Sequence, residues 1–282
     1  MNRRLIPATL AAAALLALLY ALAIQLARPD ILSAPTVGLY NRVFLERYVY
    51  GEQSPIVMVG SSLTARLPAA DLGPGIVNLA LNGQSAMTGL AVVAKSPQTP
   101  QRVLIEINQI GLGSDAQVLA QTFDEPLFTL RRHVLALRKS YQPVTVFYGL
   151  LRGRQAQDNG AERPMTPAQH AELVKASAQA LSTAMPKHRL DDQITEMRGY
   201  LETLRARGIT PVFYEMPIDG PLRALPLPTQ VRQAMQAAFP APAYCWITPN
   251  MQEPRTVDGL HLALADAALA ARRLRESAAC AR

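Results

Sequence analysis

The sequence predicts an α/β protein with a mainly parallel central sheet between layers of helices, preceded by one N-terminal transmembrane helix. Three observations carry that prediction. Short runs that are nearly all apolar recur along the chain, stretches of helical character separate them, and Leu5 to Ala27 carries no charge. A strand buried on both faces is apolar at consecutive positions, so such runs alternating with helices indicate a parallel sheet. At 282 residues the chain can form one substantial core plus attachments.

Residues 1–28 form the first element. Arg3 and Arg4 precede the apolar stretch, which exceeds the ~20 residues a helix needs to cross a bilayer. The arginines favour a cytoplasmic N-terminus, with everything after Arg28 on the far side. Ala21-Leu22-Ala23 has the small-x-small form that signal peptidase reads, so cleavage stays open, although the length favours an uncleaved anchor. Residues 29–54 read as a juxtamembrane linker with a short helical piece at Tyr40–Tyr48.

The main domain is expected over 55–282. Its first strand is Ile56-Val57-Met58-Val59, its second Ile76 to Leu81, and a helix runs from Ser85 to Lys95. Arg102 to Ile107 is the third strand. Residues 113–165 interrupt the alternation and read as an insertion, with a basic amphipathic helix at Leu127–Lys139 and an apolar run at Val144–Leu151. Thr166-Pro167-Ala168-Gln169 has the form of a capping box with proline in the first turn. A further helix, Leu190 to Arg207, stops at Gly208. Pro211 to Glu215 and Tyr244 to Ile247 are the last strands, and Leu262 to Arg275 is the closing helix.

Composition narrows the function classes. The formal charge of +7 is spread along the chain, without zinc-finger spacing, paired basic helices or an aromatic RNA-binding motif, so nucleic acid is not an expected partner. The two cysteines form no metal-ligand cluster, and neither a metal nor another cofactor is expected. If the domain is exported, Cys245 and Cys280, the latter expected beyond the last helix, could form one disulfide; two unpaired thiols are the alternative. Arg131, Arg132, Arg138 and Lys139 read as a solvated helix face or, more sharply, as a patch for anionic lipid or polymer. His133, His170 and His188 receive no role.

Ligands bind at the carboxyl ends of the strands in an open parallel sheet. There the first strand delivers Gly60-Ser61-Ser62, the second Asn82-Gly83 and the third Asn108-Gln109, while Asp258-Gly259-Leu260-His261 precedes the closing helix. A serine nucleophile needs a base, a group to orient it and donors for the oxyanion. Those residue types are all here. Singly, each motif is an ordinary turn: glycine, serine and Asn-Gly are common turn formers.

In order, the motifs resemble the SGNH or GDSL hydrolases, whose fold is flavodoxin-like. Gly60-Ser61-Ser62-Leu63 is similar to the glycine-aspartate-serine-leucine block, Val77 to Gly83 to the oxyanion-glycine block, and Asp258-x-x-His261 to the aspartate-x-x-histidine block. The resemblance covers residues 56–275. It implies Ser62 as nucleophile, His261 as base and Asp258 as its orienting group. The oxyanion would be held by the backbone N–H groups of Ser62 and Gly83 and by an amide of Asn108 or Gln109. Ser61 replaces the family's usual aspartate, as in membrane-anchored members that act in envelope acylation, and the asparagine of the third block is out of register. The implied activity is acyl-ester chemistry, transfer or hydrolysis, on an envelope polysaccharide. A polytopic membrane-bound O-acyltransferase and the lipid bilayer are the implied partners. The non-catalytic alternative is a scaffold or glycan-binding component of a polysaccharide modification complex.

Overall fold

The computed structural model describes residues 5–31, 33–51, 53–123, 127–152 and 165–280. In chain order, α1 is Leu5–Ala27, α2 Val37–Tyr50, β1 Ile56–Val59, α3 Ser62–Ala65, α4 Ala69–Leu72, β2 Ile76–Asn78 and α5 Ala86–Lys95. Then come β3 Arg102–Glu106, α6 Ala116–Phe123, α7 Leu127–His133, α8 Pro143–Arg152, α9 Pro167–Leu181 and α10 Lys187–Ala206. The chain closes with β4 Thr210–Tyr214, α11 Gly220–Arg223, α12 Pro226–Ala238, β5 Cys245–Ile247 and α13 Leu264–Cys280. It divides into two compact units, one of residues 1–51 with 120–157, the other of 52–119 with 158–282.

The second unit holds the sheet. Among the described residues it has five strands, all parallel, in the order β2-β1-β3-β4-β5. Chain direction across the sheet reverses between β1 and β3, which makes the ends of those two strands the switch point where such sheets bind ligands. Alternate strand residues serve opposite faces. Met58, Leu104, Val212 and Tyr214 share a cluster with Ala267, Ala270, Ala271, Leu274 and Ala278. These five lie on one stripe of α13, and the small alanines let its backbone approach the sheet. On the other parity, Val59 packs against Gly89 of α5, where an added Cβ would stand 2.7 Å from the valine Cβ. Arg207 donates to the carbonyls of Val93, Ala94, Ser96 and Gln98 at 2.5–3.0 Å, satisfying the carboxyl end of α5.

The strand bounds fall within three residues of the sequence expectation, and β1 coincides with it. Ser85 caps α5 and Thr166 makes a full capping box on α9. Three differences matter. The stretch 127–139 is not one helix: α7 ends at His133 and two 3₁₀ turns follow, Leu135–Leu137 and Lys139–Tyr141. The closing helix runs on to Cys280 instead of ending before it. Cys245 is a free, partly exposed thiol on β5, while the side chain of Cys280, the other half of the expected disulfide, lies outside the described residues.

The third difference concerns residues 29–54, expected as a linker: up to Gly51 they belong with the segment from Ala120 onward in the first unit. The physical reason lies in two charged side chains of α2. Glu46, only 3% exposed, accepts the backbone N–H groups of Lys139 and Ser140, both at 2.8 Å. Arg42 donates to Thr122 Oγ1 at 2.8 Å and Gln121 Oε1 at 2.7 Å. Ile24, Ile31 and Val43 share a small core with Leu135 and Val146. Within this unit α1 is 23 residues long and contains the one described helix long and apolar enough to cross a membrane.

Candidate active site

The loop after β1 is shaped by what lies beneath it. Ser61 caps α3, its hydroxyl accepting the N–H of Leu63 at 3.2 Å, so Ser62 opens the helix with its own N–H unbonded among the described residues. Beneath the cap sits Glu106, the last residue of β3 and 1% exposed. Its carboxyl accepts from the Ser61 N–H (2.8 Å), the Ser61 hydroxyl (2.7 Å) and the Thr64 hydroxyl (2.7 Å). Thr64 in turn meets the buried Tyr214 hydroxyl at 2.7 Å. Burial pushes the Glu106 carboxyl up, opposed by the hydrogen bonds of Thr64 and Ser61. Gly60 is required here: a Cβ would stand 2.5 Å from Glu106 Oε2 and 2.7 Å from Thr64 Oγ1.

Beyond β2 the backbone stays beside this loop. Leu79 N–H donates to Met58 O at 2.8 Å and Leu81 N–H to Gly60 O at 3.1 Å. Asn78 ties the two together, accepting the Ala80 N–H and donating to Thr64 O at 2.8 Å. Two residues past the Leu81–Gly60 bond come Gly83 and Ser62, facing the same end of the sheet. Gly83 takes a φ of +72°, a left-handed conformation that glycine adopts without strain, and its N–H is unbonded among the described residues.

The histidine loop is built separately and delivered to the same end. Residues 256–262 close on themselves through an antiparallel bridge between Thr256 and Leu262. Asp219, in the loop after β4, accepts the Thr256 hydroxyl at 2.8 Å and gives its N–H to Gly259 O at 3.0 Å. His170 of α9 donates from Nε2 to Thr256 O at 3.0 Å. Inside this loop, Asp258 Oδ1 accepts the N–H groups of Leu260 (3.0 Å) and His261 (2.7 Å), and Asp258 Oδ2 lies 2.7 Å from His261 Nδ1. His261 Nε2 lies 2.9 Å from Ser62 Oγ, across 199 positions of sequence. Burial raises the Asp258 carboxyl, but hydrogen bonds from the His261 ring and N–H, the imidazole charge and the Leu260 N–H outweigh it and bring the group down to about 2. An ionised Asp258 fixes the proton on Nδ1, which leaves Nε2 as acceptor for the Ser62 hydroxyl.

Ser62, His261 and Asp258 are thus brought together with the spacing of a nucleophile, a base and its orienting carboxylate. The two third-block amides behave differently. Asn108 is a clamp: its Nδ2 donates to Met216 O at 3.0 Å and its Oδ1 accepts the Met216 N–H at 2.7 Å, joining the chain beyond β3 to that beyond β4. The Gln109 amide has no partner among the described residues, and it lines a small cavity with Leu63 and Leu260, the neighbours of Ser62 and His261. No protein-family model matches this chain. No curated protein matches it either.

Sequence reasoning missed Glu106, Thr64, Tyr214, Asp219 and His170. Only Glu106 left a local signal, as a carboxylate inside an otherwise apolar strand. The others are recognised as partners only once distant segments meet. Among the described residues, no group of three or more His, Cys, Asp or Glu side chains is placed to hold a metal ion.

Proposed function

We propose that this chain is a membrane-anchored serine O-acyltransferase or esterase of the SGNH type. On this reading its three-layer, flavodoxin-like domain is extracytoplasmic and handles acyl esters, in the first instance acetyl esters, of an envelope polysaccharide. One observation carries the catalytic reading: a hydroxyl, an imidazole and a carboxylate in series at 2.9 and 2.7 Å. They sit at the switch point of a parallel sheet, near two backbone N–H groups, of Ser62 and Gly83, that are unbonded among the described residues. The anchor rests on α1, which stays helical through Ala21-Leu22-Ala23 and buries Ile24 in the first unit.

The chemistry follows from the proton positions. Ser62 Oγ attacks the acyl carbon as its proton passes to His261 Nε2, and Asp258 stabilises the imidazolium. The N–H groups of Ser62 and Gly83, with the amide of Gln109 as third donor, face the oxyanion. On collapse, the leaving alcohol takes the proton from Nε2 and an acyl-serine remains. An incoming sugar hydroxyl, or water, gives its proton to Nε2 and attacks the acyl carbon; on collapse Ser62 Oγ leaves and takes that proton back from Nε2.

The test is acetate release from a chromogenic acetyl ester by the full chain, together with labelling by a fluorophosphonate. Ser62→Ala and His261→Ala should abolish both while leaving thermal unfolding close to wild type. Undiminished turnover in Ser62→Ala would sink the catalytic reading and leave the scaffold. Glycan modification that appears only beside a co-expressed membrane acyltransferase would select transfer over hydrolysis.

A further inference from the structure

The first unit carries an apolar surface that the proposed acyl chemistry does not use. On α8, one face packs inward: Thr145 is fully buried, Val146 is buried, and a Cβ on Gly149 would meet Ile31 at 3.3 Å. The opposite face is where a helix in water carries polar side chains. Here it carries Val144, Phe147, Leu150 and Leu151, exposed by 56%, 66%, 67% and 71%.

The position of α8 relative to α1, within the same unit, says what covers this face. Tyr20 donates its hydroxyl to Tyr141 O at 2.5 Å, Leu135 N–H reaches Gln25 Oε1 at 3.4 Å, and Ile24 packs with Leu135 and Val146. The apolar span Ile6–Ala27 is about 33 Å long at 1.5 Å per residue, close to the ~30 Å hydrocarbon thickness of a bilayer. Tyr20 therefore lies about 10 Å inside the end of the span. The turns at 135–141 pack beside the last part of that span, and α8 begins at Pro143, immediately after them. Charge points the same way. From Leu127 to Arg152 the sequence contains five arginine or lysine residues and no aspartate or glutamate. An apolar face flanked by cations suits an anionic lipid surface.

We propose that α8 is a second membrane contact, lying in the lipid interface beside α1. Val144, Phe147, Leu150 and Leu151 face acyl chains, and the exposed side chains of Arg132 and Lys139 meet anionic phospholipid head groups. The occupant is lipid, not protein. The inference rests on α1 spanning the bilayer, and it fixes the first unit at the membrane surface.

The test uses the full chain in vesicles of phosphatidylcholine and phosphatidylglycerol, with Phe147→Trp and, separately, Leu151→Trp. The wild type, whose single tryptophan is Trp246, supplies the background signal. Acyl chains brominated near the head group should quench the introduced fluorescence, taken as the difference from wild type, at least about twofold. Quenching by aqueous iodide instead, with no response to bromolipid in either variant, would overturn the proposal. Flotation with the vesicles is scored separately, so loss of the anchor is distinguishable from loss of the α8 contact. A photoreactive phenylalanine analogue at 147 in native membranes should give lipid adducts. An adduct dominated by a membrane protein would refute lipid as the occupant.

Discussion

Replacing Asp258 by asparagine tests the site more sharply than removing the serine. Asp258 Oδ1 already accepts two backbone N–H groups, from Leu260 and His261. An asparagine must keep its carbonyl oxygen there, because turning the amide over would set its NH₂ against two donors. The NH₂ is then forced to face His261 Nδ1, 2.7 Å away in the wild type. The imidazole accepts at Nδ1 and carries its proton on Nε2, pointing at Ser62, so it cannot take the serine proton. In a serine protease the equivalent exchange lowers turnover about 10⁴-fold, and we expect a loss of that order here. The stability cost is smaller. A carboxyl lowered from 3.8 to about 2 corresponds to at most about 2 kcal/mol at this half-buried site, once solvent screening is allowed for. The assays are chromogenic ester turnover and the rate of fluorophosphonate labelling, set beside urea unfolding. Should Asp258→Asn keep more than about a tenth of wild-type turnover, the tautomer argument fails even if Ser62 is essential.

Three further outcomes are expected. Asn108→Ala should lower stability by about 1–3 kcal/mol through its lost Met216 clamp, whereas Gln109→Ala should leave urea unfolding unchanged and slow turnover about 10²–10³-fold; equal effects of the two on turnover would contradict the split. Glu106→Ala strands three buried donors and should cost about 3 kcal/mol or more, while Glu106→Gln costs less. Because burial raises the Glu106 carboxyl, the wild type should lose stability relative to the glutamine variant as pH rises above 4.5, which unfolding curves across pH 4–8 would reveal. Asp258 has the opposite sign: its contribution is fully present above about pH 4 and disappears as pH falls through about 2, so the gap between wild type and Asp258→Asn should close in acid.

The sequence by itself determined whatever depends on neighbours along the chain. Apolar runs at β1, β3 and β4 had to be strands buried on both faces, and Thr166 announced a helix start because caps act over three residues. Asp258-x-x-His261 was legible through its resemblance to a known block, and the structure adds that the carboxyl reaches N–H groups two and three positions on, a local turn. Other features were decided only in three dimensions. Nothing in the sequence of α2 shows that Glu46 would accept N–H groups 93 and 94 positions away, so an element read as a linker became part of a packed unit. Asn108 and Gln109 are adjacent and chemically alike. Only the arrival of Met216 makes one a structural clamp, while the other amide has no partner among the described residues. Whether a polar side chain is consumed by the fold or left over for chemistry depends on which backbone groups packing strands beside it, and those come from distant parts of the chain.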